Sequence, residues 1–163
     1  LRGRELIEPI RHFAKSGRPL MGICLGMQML ATSSEEFGYH DGLDLIPGRV
    51  LPIPHIATDG STLKIPHIGW CQLQRAPSVD WNNSILDQTN PGSSAYLVHS
   101  FMFEPSNPSD LLSYSTYGGH KVTTVIRRGS IYGCQFHPEK SGPEGLKILK
   151  TFLKKSNNCY TET

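Results

Sequence analysis

Cys24 stands in Gly22-Ile23-Cys24-Leu25-Gly26, where the short apolar run Pro19 to Ile23 gives way to a helical pattern. Glycines flanking a nucleophile permit the sharp strand-to-helix turn that lifts it above a sheet, and the backbone N–H of the next residue, here Leu25, then faces the developing oxyanion. A thiol at a helix N-terminus also meets the positive end of the peptide dipoles, so the placement predicts a pKa lowered from about 8.5. A thiol nucleophile needs a base, and the base needs an orienting group. His137-Pro138-Glu139 offers both. Pro138 biases His137 toward extended geometry, and residues two apart in an extended segment point to one side, so the Glu139 carboxylate can reach the His137 ring.

The other histidines test that choice. His12 lies on a helical stretch with Arg11 and Lys15 and reads as exposed, while His40, His55 and His120 lie in loop or turn contexts. His67 and His99 adjoin apolar stretches, Ile65 to Trp70 and Tyr96 to Phe101, and read as hydrogen-bonded core histidines. His137-x-Glu139 matches the first half of a zinc deaminase signature, but no Pro-Cys-x-x-Cys follows it, so the pattern gives no reason to invoke a metal or cofactor.

The elements that must position these residues follow from period and punctuation. A first helix is expected to begin near Glu8, to carry Ile10, Phe13 and Ala14 inward and to stop at Gly17. A strand over Pro19 to Ile23 and a helix over Leu25 to Glu36 complete a helix, strand, turn, helix order, which implies an α/β fold with a parallel sheet. Strands are predicted over Arg49 to Ile53, Lys64 to Ile68, Ala95 to Val98, Leu111 to Tyr117, Lys121 to Arg127 and Ser130 to Phe136, with a hairpin turn at Arg128-Gly129. Ser141 to Glu144 carries helix-start chemistry; Leu146, Leu149, Phe152 and Leu153 form the apolar face, Lys154 and Lys155 sit in the last turn, and residues 157–163 are expected to fray.

Composition narrows the classes further. A chain of 163 residues buries roughly 70% of its extended surface, enough for one domain over residues 1–163 without disulfide staples. The longest apolar stretch, Pro19 to Ala31, is interrupted by Gln28 and falls short of the ~20 residues a spanning helix needs, which argues against a membrane. A formal net charge of +2 without long charge runs argues against nucleic acid as a partner. Cys24, Cys71, Cys134 and Cys159 show no CxxC spacing and no signal peptide opens the chain, so a reducing cytoplasm is expected.

Taken together, the motifs resemble those of the class I glutamine amidotransferases, and within them the glutaminase-subunit type found in imidazole glycerol phosphate synthases. The stretches that carry the resemblance are Gly22 to Gln28, Gly42 to Val50, Ile65 to Trp70, Leu97 to Phe101 and Gly133 to Ser141. It implies a three-layer α/β/α sandwich with a mostly parallel central sheet and an antiparallel extension. It also implies a Cys24-His137-Glu139 triad that hydrolyses glutamine through a glutamyl thioester. Leu25, Gln28 and the backbone at Ser100 and Phe101 are then expected on the glutamine ligand, and Trp70 and Lys140 on a face that docks a (β/α)8 cyclase receiving the ammonia.

Departures from the pattern matter as well. Cys71 stands where this type usually carries Asn. The family has further N-terminal strands and a Pro-Gly-x-Gly segment that provides or gates a second oxyanion donor, and neither Pro47-Gly48-Arg49-Val50 nor Pro91-Gly92-Ser93-Ser94 matches it. A chain beginning at Leu1 is therefore expected to lack that donor, whose loss costs on the order of 10²- to 10³-fold in turnover. Two other readings accompany the resemblance: a paralogue that supplies ammonia for amidation of a surface-polysaccharide sugar, suggested by Phe101-Met102-Phe103 and Gly133-Cys134-Gln135, and a non-enzymatic binding subunit.

Overall fold

The computed structural model describes residues 2–77 and 79–161. In chain order the main elements are α1 (Ile7–Lys15), β1 (Leu20–Ile23), α2 (Leu25–Gln28), β2 (Ser33–Ser34), β3 (His40–Asp41), β4 (Gly48–Pro52), β5 (His67–Gln72), β6 (Gln74–Arg75), β7 (Ser94–His99), β8 (Phe101–Pro105), β9 (Leu111–Tyr117), β10 (His120–Arg128), β11 (Ile131–Cys134) and α3 (Gly142–Thr161). The central sheet runs β1-β11-β10-β9-β6, flanked by a β3-β2-β4-β8 sheet and a β5-β7 pair. The α/β class expected from the sequence holds, but the central sheet is not mostly parallel: of its four strand pairings only β1–β11 is parallel. In the central sheet β1 pairs parallel with β11, while the β9-β10-β11 meander is antiparallel because its connections are tight turns. Gly129 supplies the positive φ at the predicted Arg128-Gly129 turn.

The alternation of side chains across β10 and β11 divides the core in two. Val125, Tyr132 and Cys134 join one cluster with Leu97, Phe136 and Ile148 of α3. Ile126 and Ile131 join the other with Met27, Val50, Phe103 and Ala14 of α1. Covering both faces of the central sheet in this way makes it a middle layer. It also places the ends of β1 and β11 side by side.

Four expectations need correction. The helix after Cys24 is four residues long instead of extending to Glu36, because the carbonyls of Met29, Leu30 and Ala31 are taken by the amides of Leu43, Leu45, Ile46 and Asp44. Those bonds peel the chain away to form β2. In α1, Phe13 is only half-buried and carries the Arg18 guanidinium 4.2 Å above its ring, while Ala14 faces the core. In α3 the inward stripe is Gly145, Ile148, Thr151 and Phe152, leaving Leu146 and Leu153 exposed. A Cβ on Gly145 would strike the Pro138 carbonyl, and this close seat sets the rotation of the helix. The helix also continues to Thr161, so Lys154 and Lys155 lie before its last turn and residues 157–161 are helical; Glu162 and Thr163 lie outside the described residues.

Strand boundaries differ most around the flanking sheets. The strand expected over Lys64 to Ile68 lies at His67–Gln72, and Phe101–Pro105 is a strand where the sequence, read as a strand only from Ala95 to Val98, predicts none. No helix of the described residues is long and apolar enough to cross a membrane.

Candidate active site

Cys24 follows β1 and caps α2 with φ 51° and ψ −112°, a conformation that costs a residue bearing a β-carbon on the order of 1–3 kcal/mol. The surroundings over-determine it. The Cys24 N–H donates to the Cys134 carbonyl at 2.7 Å, carrying the β1–β11 register one step beyond Ile23↔Cys134. Its carbonyl accepts the N–H groups of Met27 at 3.0 Å and Gln28 at 3.3 Å, which starts α2 at once. The backbone of Gly26 turns back over Gly22, where a Cβ would come within 2.5 Å of the Gly26 carbonyl carbon and 2.7 Å of the Met27 nitrogen. The elbow read from the sequence is thus built by hydrogen bonds and by this one close approach.

His137 follows β11 by three residues, so the parallel pairing with β1 brings it to the same sheet end as Cys24. It is extended, with φ −92° and ψ 100°, as the following proline requires, but Glu139 lies on the one-turn 3-10 helix Pro138–Lys140 and not on a continuing strand. The turn still closes the pair: His137 Nδ1 and Glu139 Oε1 are 2.8 Å apart. With the Nδ1–H donated to the carboxylate, the lone pair is at Nε2. The His137 backbone is fastened by its N–H to the Tyr96 carbonyl at 3.3 Å and by its carbonyl to Ser141 Oγ at 2.7 Å, which in turn accepts the Tyr96 N–H.

The side-chain hydrogen-bond partner of the thiol is Gln135, whose Nε2 lies 3.9 Å from Cys24 Sγ; no hydrogen bond joins the thiol to His137 in this arrangement. Gln135 is fully buried, and its Oε1 accepts from Gln28 Nε2 at 3.1 Å. Gln28 Nε2 also donates to the Phe101 carbonyl at 3.2 Å. Gln28, expected on the glutamine ligand, is a buried linking residue whose amide nitrogen is engaged within the protein. Sequence reasoning missed Gln135. Its signal was an amide inside the apolar run Ile131 to Phe136, since a buried amide must find partners.

The predicted lowering of the Cys24 pKa is overturned. Burial pushes the thiol above its ordinary value and the Glu139 and Glu36 carboxylates add to that, against the opposing hydrogen bond from the Leu25 backbone. A helix of four residues is too short to reverse the sum. For Glu139, burial acts upward but is outweighed by its own backbone N–H, by His137 and by Lys140, so its carboxyl is held below the usual range.

A cavity of about 290 Å³ opens beside the elbow, lined among others by Ile7, Leu25, Gln28, Ser34, Glu36 and Leu43. Glu36 is a second lining residue that sequence reasoning did not single out, naming it only as the end of the helix expected from Leu25. The Phe101 carbonyl meets Gln28 at the buried end of α2, and the Ser100 carbonyl, at the break between β7 and β8, accepts the Ile53 N–H at 2.9 Å. Trp70 is 59% exposed and meets Tyr96 edge-on at 5.9 Å, so it is not core, and Lys140 is exposed on the turn that holds Glu139. Both flank His137 through Tyr96 and the Pro138–Lys140 turn. Cys134 is buried in β11, and burial pushes its thiol far up.

Comparison with known proteins gives the family. The model of the family described as glutamine amidotransferase class-I matches residues 2–156. A Legionella pneumophila (strain Paris) protein named imidazole glycerol phosphate synthase subunit HisH 1 is 52% identical over 151 residues, which cover 92% of this chain and 71% of that protein. Among solved structures, a glutamine amidotransferase from Thermotoga maritima superposes with a TM-score of 0.59 at 18% identity, over 98% of this chain and 55% of that one. PurLQS from the same organism superposes with a TM-score of 0.64 at 18% identity, over 92% of this chain and 68% of that one. At such identities the two structures speak to the fold, whereas the family match and the Legionella relative speak to descent. The chain belongs to the class I glutamine amidotransferases.

Proposed function

We propose that this chain is the glutaminase subunit of an imidazole glycerol phosphate synthase, acting in histidine biosynthesis in the cytoplasm. The observation that carries the reading is the β1–β11 register, which sets the strained Cys24 elbow beside a His137 already bonded to Glu139 at 2.8 Å. HisH is also the name of the 52%-identical relative.

In this reading glutamine enters the cavity beside Leu25 and Gln28, with the Glu36 carboxylate facing its α-ammonium group and the backbone at Ser100 and Phe101 along its main chain. The Cys24 thiol is protonated at rest, so attack requires a base. As Sγ bonds to the amide carbon, His137 Nε2 takes the thiol proton and the charged ring is held by Glu139. The Leu25 N–H faces the resulting oxyanion. Collapse breaks the C–N bond, the imidazolium returns its proton to the leaving nitrogen, and ammonia departs. Water, deprotonated by His137, then cleaves the thioester to give glutamate and restore the thiol.

Ammonia is a nucleophile only while unprotonated, so its transfer favours a sealed exit. The exposed Trp70 and Lys140 beside His137 fit a surface that a (β/α)8 cyclase covers. The test is labelling with a glutamine-like diazo ketone, read by intact mass and peptide mapping, alongside glutamate release with and without the cyclase. An adduct on Cys24, absent in Cys24→Ala, together with cyclase-dependent glutamate release supports the reading. A folded chain that takes no adduct and releases no glutamate with its cyclase overturns it.

A further inference from the structure

On the far side of the Phe101 carbonyl lies a second polar string that the reaction above does not use. Its members come from the facing strands β5 and β7, where His67 pairs directly with His99. Cys71 Sγ lies 3.1 Å from His67 Nε2, His67 Nδ1 lies 3.3 Å from His99 Nε2, and His99 Nδ1 lies 2.8 Å from the Phe101 carbonyl oxygen. Both rings are buried, and His67 is stacked on Tyr117 at 3.9 Å.

One assignment of protons satisfies every link. A carbonyl can only accept, so His99 carries its proton on Nδ1 and offers the Nε2 lone pair to His67. His67 then also carries its proton on Nδ1 and offers Nε2 to the Cys71 S–H. The assignment needs two uncharged rings, and burial favours them: His67 is pushed below its ordinary value and His99 down to about 4, while burial pushes the Cys71 thiol up and keeps its proton on sulfur. The string ends on the same carbonyl oxygen that accepts Gln28 Nε2, and Gln28 leads through Gln135 to Cys24 Sγ.

We infer that His99, backed by His67 and Cys71, is a positioning residue for the nucleophile: by fixing the Phe101 carbonyl it aligns Gln28 and Gln135 so that an amide N–H points at Cys24 Sγ. The inference rests on Cys24 being the nucleophile. A donor aimed at sulfur favours the thiolate over the thiol, so loosening the string raises the pH at which Cys24 becomes reactive without changing the reactivity of the thiolate itself. Glu139, with His137 bonded to it, and Glu36 are the other titratable groups that act on Cys24, and Cys71 and Tyr117 are those at the imidazole pair.

The experiment is the pH profile of Cys24 alkylation by iodoacetamide, resolved from the other cysteines by peptide mapping, on the whole chain. His99→Leu is expected to slow alkylation below the midpoint by about fivefold, the worth of one net hydrogen bond, and to leave the high-pH plateau unchanged. His99→Asn keeps a donor near the Nδ1 position and is expected to restore the midpoint. A folded His99→Leu with the parent midpoint overturns the proposal. Should that variant fail to fold, nitrogen-15 spectra of the histidines in the unmodified protein decide: two Nδ1–H tautomers support the string, and an Nε2–H tautomer at either ring overturns it. A normal alkylation profile in a chain that hydrolyses no glutamine defeats the glutaminase reading and leaves this one standing.

Discussion

Gly22 lies directly beneath the backbone of Gly26, with no space between them for a single carbon atom. The contact is backbone on backbone, so a side chain at position 22 cannot be accommodated by a rotamer change. Gly22→Ala must push α2 outward and with it the Cys24 turn. Overpacking of this kind costs about 1–3 kcal/mol. Chemical denaturation is expected to show that loss, and glutamate release is expected to fall by more than the fraction unfolded explains.

Glu36 gives a prediction with two opposite signs. Its charge raises the Cys24 pKa, after burial and alongside Glu139. Glu36→Gln should therefore move the alkylation midpoint of Cys24 downward, making the thiol more reactive. If the same carboxylate faces the ammonium of glutamine, KM should rise by about tenfold, since charge-assisted hydrogen bonds are worth about 1.5–3 kcal/mol. An unchanged KM would remove Glu36 from the substrate site.

Glu139 orients His137 only while ionised. Its carboxyl is held below the usual range, so the carboxylate persists as pH falls and the pair is lost only below that depressed value. The acid limb of turnover should accordingly not come from Glu139. Glu139→Gln is expected to lower kcat by at least about tenfold at neutral pH through loss of the carboxylate charge that fixes the His137 tautomer and stabilises the imidazolium. Steady-state kinetics across pH tests both statements.

His99 makes stability depend on pH. It is held neutral down to about 4 in the fold, while the unfolded chain titrates near 6.5. Between those values the unfolded state binds more protons, so stability falls as pH drops through this window and is fully present above it. The interval corresponds to about 3 kcal/mol. Urea titrations at neutral and mildly acidic pH should show the loss, and His99→Asn should flatten it.

Trp70 projects into solvent with Ile68, two positions before it on β5, also 54% exposed. Trp70→Ala should therefore leave the melting temperature within a few degrees of the parent. Cyclase affinity, measured by titration calorimetry, is expected to drop by at least about thirtyfold, as truncation of a central interface tryptophan costs about 2 kcal/mol or more. Unchanged affinity would show that the partner sits elsewhere.

Much of the site was legible because its geometry is local. The Gly22-to-Gly26 turn and the His137-to-Glu139 span are each set within a few residues. The mostly parallel sheet expected from a strand, a turn and a helix is not what forms: the chain after α2 enters another sheet, and only β1–β11 of the central sheet is parallel. The length of α2 was not legible. Leu25 to Glu36 does have a helical pattern, but its carbonyls are claimed by residues 43–46, a competition that no local pattern records. The separate strand Phe101–Pro105 was hidden for a related reason: the run from Ser94 to Pro105 is divided at Ser100 because β7 pairs with β5 and β8 with β4. The direction of the Cys24 pKa failed because burial and two distant carboxylates outweigh a very short helix.

The bond from the Cys24 N–H to the Cys134 carbonyl also has a temporal meaning. It joins the early part of the chain to a late strand, and α2 is finished off by residues 43–46. During synthesis, then, the elbow has no closing partner until residue 134 has left the ribosome. Contacts of such long sequence separation are paid for in loop entropy before they reward the chain. A nascent chain that has not yet reached residue 134 carries the cysteine but not the bond that closes its strained turn.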